Sequence, residues 1–166
     1  MRIVLVDDDD DDDRPFEDMS VAELRRMVRA GRVTKSGVVC HGCERLAKDW
    51  GRTIHKTKAK ALLDYYRWDR RHPGEYMHVK ESASHEASEL KFWGVLEEER
   101  KVRDDGGRAG YWRITDLGRR YVEGEITLPK YAVIYKHTVL RMDGPDLTFA
   151  QCLQVPFDLQ ELWDAP

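Results

Sequence analysis

Cys40-His41-Gly42-Cys43 has a spacing that suits a metal ion. Two thiolates separated by two residues can hold one side of a tetrahedral zinc from a tight turn, and a closed structural site needs two further ligands. The sequence has no second Cys-x-x-Cys. His55 is the nearest downstream candidate, and His41, His72, His78 and Cys152 are the others. The thiols read first as reduced structural groups, and the alternative is a zinc knuckle built on Cys40, Cys43 and His55. A redox role is disfavoured, because no strand–helix unit of the thioredoxin type frames the motif.

The second chemistry is phosphate binding. Arg45, Lys48, Arg52, Lys56, Lys58 and Lys60 fall within one short stretch. Cations so arranged release counterions from a duplex, which gives salt-sensitive affinity largely blind to sequence. Further on, Ser84, His85, Ser88 and Lys91 can hydrogen-bond base edges or phosphates. Glu86 and Glu89 stand among them and oppose a phosphate backbone. Arg103 and Arg108, with Lys101, flank a loop that Asp104 and Asp105 dilute. The bland alternative for all these charges is a solvated surface.

Charge is segregated along the chain. Residues 1–18 carry nine acids and two arginines. Residues 19–72 carry fourteen Lys and Arg against five acids, and residues 73–166 twelve against seventeen. Thus a net charge of -3 conceals a basic third between two acidic parts. Asp7 to Asp13 is an unbroken run that cannot enter a core, since carboxylates resist desolvation and repel one another. It reads as a solvated arm, or as a mimic of nucleic-acid phosphate aimed at a host protein.

These groups need elements to hold them. Ser20 with Glu23 fits a capping box, with Met19 and Leu24 at the staple positions, opening a helix over 20–30 that carries Arg25, Arg26 and Arg29. Residues 56–71 read as a second helix with Ala59, Leu62, Leu63 and Tyr66 on its apolar side. Arg67, Arg70 and Arg71 join its lysines, and His72-Pro73-Gly74 ends it. A short strand is expected at 76–79. A short helix over 84–93 has Ala87, Leu90 and Trp93 on one side. Strands follow at 95–102 and 111–115 around a turn-rich loop, then a helix capped by Thr115 or Asp116. Helix, strand, loop, strand and helix in this order is the layout of a winged helix. A hairpin of 131–135 and 138–142 follows, and Asp143-Gly144-Pro145 should break the chain. Thr148 with Gln151 and Asp158 with Glu161 introduce two short helices. Tyr65, Tyr66, Trp68, Phe92, Trp93, Tyr111 and Trp112 read as core rather than as base-stacking platforms.

LKFWGVLEE (90–98), GYWRITDLGRRYVEGE (110–125) and LPKYAVIYKHTVL (128–140) resemble a family of winged-helix proteins encoded mainly by bacteriophages. The Cys-x-x-Cys followed by a basic helix is similar to the amino-terminal part of that family. The resemblance covers roughly residues 35–163 and excludes the Asp run. It implies a fold and a phage setting, and no activity.

The expectation is therefore an α+β protein. An acidic arm (1–18) precedes a helix and Cys-x-x-Cys knuckle (19–55). A winged helix-turn-helix core (56–127) is followed by a hairpin and short helices packed on it (128–166). Catalysis finds little support: there is no P-loop, GxGxxG, HExxH or GxSxG. The expected role is duplex DNA binding by a small regulator or accessory factor. The alternative is binding a host factor, with the Asp run as mimic. No apolar run is long enough for a membrane span. The cytoplasm of a bacterial host is the expected setting, with 131–142 as an oligomer contact.

Overall fold

A computed structural model describes residues 19–31, 37–39, 46–100 and 110–164. The protein is mixed α+β. The chain divides into two units: residues 1–52 with 133–142, and residues 53–132 with 143–166. The expected arm, the Cys40 and Cys43 thiols, Arg45, Lys101, Arg103 and Arg108 lie outside the described residues.

In the first unit, helix α1 spans Val21–Arg29. Its entry follows the expected box: the Ser20 hydroxyl accepts from the Glu23 N–H, and the Glu23 carboxylate accepts from the Ser20 N–H at 2.8 Å. Met19 and Leu24 are buried together, with Val21 and Met27 against them, as a staple requires. Strands β1 (Val38–Val39) and β2 (Leu46–Ala47) pair antiparallel, Val38 opposite Ala47 and Val39 opposite Leu46. In sequence they bracket Cys40-His41-Gly42-Cys43.

Strand β3 spans Trp50–Thr53, β7 Leu128–Tyr135 and β8 Thr138–Leu147; they form a sheet in the order β3-β7-β8. The turn between β7 and β8 falls at Lys136-His137, where the expected hairpin turns. Both residues have positive φ, 47° and 66°, as two-residue primed turns demand. The strands are longer than the sequence suggests. Asp143-Gly144-Pro145 does not break the chain: β8 runs through it to Leu147. Gly144 is there because the Tyr131 ring lies over it; a Cβ would sit 2.4 Å from that ring.

The second unit is built on helix α2, Lys56–Arg71, with the expected bounds. Ala59, Ala61, Leu62, Tyr65 and Tyr66 are buried along one side. Strand β4 is Met77–His78, and a 3-10 turn occupies Val79–Glu81. The expected helix at 84–93 is a 3-10 helix, His85–Trp93, capped by the Ser84 side chain and stopped by Gly94 at φ 72°. Its winding follows its pattern. Three residues per turn eclipse positions i and i+3, and Ala87, Leu90 and Trp93, three apart, are all buried. Strands β5 (Leu96–Glu98) and β6 (Tyr111–Ile114) follow, with β5 shorter than expected. The sheet order is β4-β6-β5, antiparallel throughout, with Met77 opposite Trp112 and Leu96 opposite Ile114.

Helix α3, Asp116–Val122, begins at Ile114-Thr115-Asp116-Leu117-Gly118. The Thr115 hydroxyl accepts from the Gly118 N–H and donates to the Gly94 carbonyl at 2.6 Å, while the Thr115 N–H reaches Val95 O at 3.1 Å. This turn ties the end of the 3-10 helix and β5 to α3. Helix α4, Phe149–Leu153, has the expected Thr148–Gln151 box, and α5 spans Leu159–Asp164. Tyr121 and Phe149 meet edge-on at 5.6 Å. Burying each such large side chain contributes roughly 1.5–3 kcal/mol. Tyr65, Tyr66, Phe92, Trp93 and Trp112 are buried as expected, whereas Trp68 and Tyr111 are half-buried.

Asp69 fastens α3 to α2. Its carboxylate accepts from Arg119 Nε at 2.8 Å and Nη2 at 3.2 Å, and from the Gly74 N–H just past α2. Burial raises the carboxyl pKa, but the Arg119 and Gly74 hydrogen bonds and the Arg119 charge together outweigh it and hold the group below its ordinary value. A depressed folded value means stability that is present above the unfolded value, near pH ~4, and lost as pH falls through the folded one. Denaturant titration should show wild type more stable than Asp69→Asn at neutral pH, with the gap narrowing below pH ~4. A gap independent of pH would contradict this role.

Candidate nucleic-acid interface

Two features of the second unit decide which cations face water. The first is the helical period of α2. At about 100° per residue, Lys56, Lys60, Arg67 and Arg71 fall within about 60° of one another, on the side away from Leu62 and Tyr65. Lys60, Arg67 and Arg71 are exposed and Lys56 is half-buried. Lys58 falls on the opposite arc. It is 3% exposed, and its ammonium group lies 2.7 Å from the Glu89 carboxylate and donates to Thr53 O at 2.8 Å. Lys58 is therefore not a surface phosphate contact, contrary to the sequence expectation. A wheel drawn for α2 would have found this, since Lys58 shares its arc with Leu62 and Tyr65.

The second feature is ion pairing. Arg113 pairs with Glu97, Arg119 with Asp69 and Asp116, and Arg120 with Glu125 at 3.1 Å. Lys56, Lys60, Arg67 and Arg71 have no carboxylate in ion-pair range among the described residues. The Arg71 guanidinium donates to the Arg67 carbonyl at 3.3 Å. Arg70 sits at the border of this face, its guanidinium 5.0 Å over the Trp163 ring, while the Trp163 N–H reaches the Tyr66 hydroxyl at 3.2 Å.

The 3-10 helix meets the first turns of α2. His55 Nε2 lies 3.1 Å from the Glu86 carboxylate, and the Ala83 N–H donates to Asp64 at 2.7 Å. His85 and Lys91 are exposed, and Ser84 and Ser88 are half-buried. Ser84 is occupied as the cap, and the Ser88 hydroxyl donates to the His85 carbonyl at 3.3 Å. The two acids that opposed a phosphate surface each have a cationic or basic neighbour: Glu86 has His55, and Glu89 has Lys58. Through His55–Glu86 and Lys58–Glu89 the 3-10 helix packs beside the first turns of α2, while Lys91, in its last turn, lies 5.6 Å over the Trp112 ring of β6.

Lys48 and Arg52 belong to the first unit. Lys48 lies 5.0 Å over the exposed ring of Trp50, and Arg52 is half-buried. Among the described residues no three His, Cys, Asp or Glu side chains lie together as a metal would require. Of the further ligand candidates, His72 stacks on Trp68 at 4.0 Å, the His78 Nδ1 accepts from the Lys80 N–H, and Cys152 is buried. No described helix is long and apolar enough to cross a membrane.

Comparison with protein-family models, curated proteins and solved structures returns no match.

Proposed function

We propose that the second unit is a winged helix-turn-helix module that binds duplex DNA and that the protein acts by binding rather than by catalysis. The observation that carries this reading is one of order. Along the chain come α2, β4, the 3-10 turn, the 3-10 helix, β5 and β6, and in the sheet β6 lies between β4 and β5. In such a layout the helix before the two long-loop strands enters the major groove. Here that element is the 3-10 helix, which offers His85 and Lys91, with Ser84 and Ser88 at its edge. The segment between β5 and β6, which carries Arg103 and Arg108, is assigned as the wing on the sequence alone. Glu89 is paired with Lys58, which weakens the electrostatic objection on that side, and Glu86 lies 3.1 Å from His55 Nε2. A phage regulator or accessory factor acting in a bacterial cytoplasm is the setting that the sequence resemblance suggests.

Fluorescence anisotropy of a labelled duplex titrated with the full chain tests the reading. Binding should weaken log-linearly with salt, and His85→Ala with Lys91→Ala should weaken it further. Absence of duplex binding at low salt would overturn it.

A further inference from the structure

We infer that the outer face of α2, rather than the 3-10 helix alone, is a binding ladder for the sugar-phosphate backbone of a nucleic-acid duplex, with Arg67 and Arg71 as contacts that extend it to the far end of the helix. This deepens the duplex-binding reading and rests on it.

Three observations support the ladder. First, Lys56, Lys60, Arg67 and Arg71 share one face along a helix of 16 residues, about 22 Å from Lys56 to Arg71 at 1.5 Å per residue. One strand of a duplex carries a phosphate about every 3.4 Å of its axis, so a stripe of that length can meet several phosphates at once. Secondly, these cations have no ion-pair partner among the described residues, while Arg113, Arg119 and Arg120 of the same unit are each committed to a carboxylate. Arg67 and Arg71 are exposed, and a guanidinium fork suits bidentate contact with phosphate oxygens. The one acid on the same side, Asp64, is engaged by the Ala83 N–H. Thirdly, the stripe begins where the 3-10 helix joins α2, through His55 with Glu86. At that end the phosphate contacts of α2 would lie next to the 3-10 helix, which itself packs on the Lys58 arc.

The aromatic groups favour a duplex over a single strand. Binders of single strands interleave cations with exposed rings on which bases stack. On α2, Tyr65 and Tyr66 are buried, and the Trp68 ring is taken up by His72 at 4.0 Å. The exposed Trp163 ring at the border of the stripe is covered by the Arg70 guanidinium at 5.0 Å, so α2 itself offers charge rather than stacking platforms.

The test compares the full-length wild type, a Lys60→Ala/Arg67→Ala/Arg71→Ala variant and a His85→Ala/Lys91→Ala variant. Each is titrated against a random-sequence duplex, a single strand of the same length and polyglutamate, over a range of salt. All three substituted α2 positions are exposed, so folding should survive, and circular dichroism checks it. The α2 variant should bind duplex on the order of 30- to 100-fold more weakly near physiological salt, with a salt slope shallower by about three. The 3-10 variant should change the slope by no more than about one. Duplex binding by the wild type with unchanged affinity and slope in the α2 variant would overturn the ladder and leave the duplex reading standing. No duplex binding by the wild type would overturn both. Tighter binding of the single strand, or of polyglutamate, than of duplex by the wild type would overturn the assignment to duplex backbone.

Discussion

Gly118→Ala should destabilise the protein by at least about 2 kcal/mol, and a larger loss would leave it unfolded at ambient temperature. Two effects compete at this position. Gly118 lies inside α3, where alanine is the better helix former by about 1 kcal/mol. Against that, an added Cβ would stand 2.4 Å from the Val95 carbonyl oxygen and 2.6 Å from Ile114 Cγ1. The first of those atoms is backbone, held by the Thr115 N–H, and the second belongs to a residue that is 1% exposed. Neither can retreat without moving β5 or β6, and overpacking of this kind costs roughly 1–3 kcal/mol or more. Sterics therefore outweigh propensity. Gly51→Ala is the control, because nothing lies within 4 Å of its Cβ position. Denaturant midpoints of the two variants should differ widely. Equal midpoints would show that the Ile114–Gly118 turn does not lock β5 against α3.

The second large effect concerns Lys58 and Glu89. Breaking a buried ion pair from one side costs about 3–5 kcal/mol, because the charge left behind is buried without compensation. Lys58 has 4% of its side chain exposed and Glu89 has 27%, so the two directions are unequal. Glu89→Ala strands the buried ammonium group with Thr53 O as its remaining neighbour at hydrogen-bond distance, and should cost about 2–3 kcal/mol once water access on the Glu89 side is allowed for. Lys58→Met fills the same space without a charge and leaves a carboxylate that can reach water. It should cost less than about 1.5 kcal/mol. The double variant should recover most of the Glu89→Ala loss. If Lys58→Met proved the worse of the two, the charge would matter less than the hydrogen bond to Thr53.

The same pair shows where the sequence is informative and where it is not. Lys58 sits in a run of alternating lysines at 56, 58 and 60, which reads as uniformly solvated until the helical period is applied to each position. Residues 56 and 60 then fall on the wet face, and 58 points inward. Arg67 and Arg71 fall on the same face by the same period, but only the fold shows that they have no carboxylate in ion-pair range among the described residues. Local chemistry was readable wherever neighbours within four residues decide it: the Ser20–Glu23 and Thr148–Gln151 boxes, the bounds of α2, and the turn at Lys136-His137. The 3-10 winding of His85–Trp93 was legible only in part, since the spacing of Ala87, Leu90 and Trp93 fits either helix over so short a span. Asp143-Gly144-Pro145 misled because a glycine next to a proline signals a turn, whereas Gly144 answers to Tyr131, a residue thirteen positions earlier. The thiols of Cys40 and Cys43 lie outside the described residues.

In the proposed reading, duplex DNA is held on the outer face of α2 and on the exposed His85 and Lys91 of the 3-10 helix. Lysine acetylation of the full chain with and without a random-sequence duplex, mapped residue by residue by mass spectrometry, tests it most directly. Lys60 and Lys91 should be shielded by the duplex, and Lys56 with them. Lys58 should react poorly in both states, and Lys136, on the exposed hairpin turn, should react equally in both. Shielding of Lys136 with Lys60 left reactive, or no shielding under conditions where the duplex is bound, would contradict the claim.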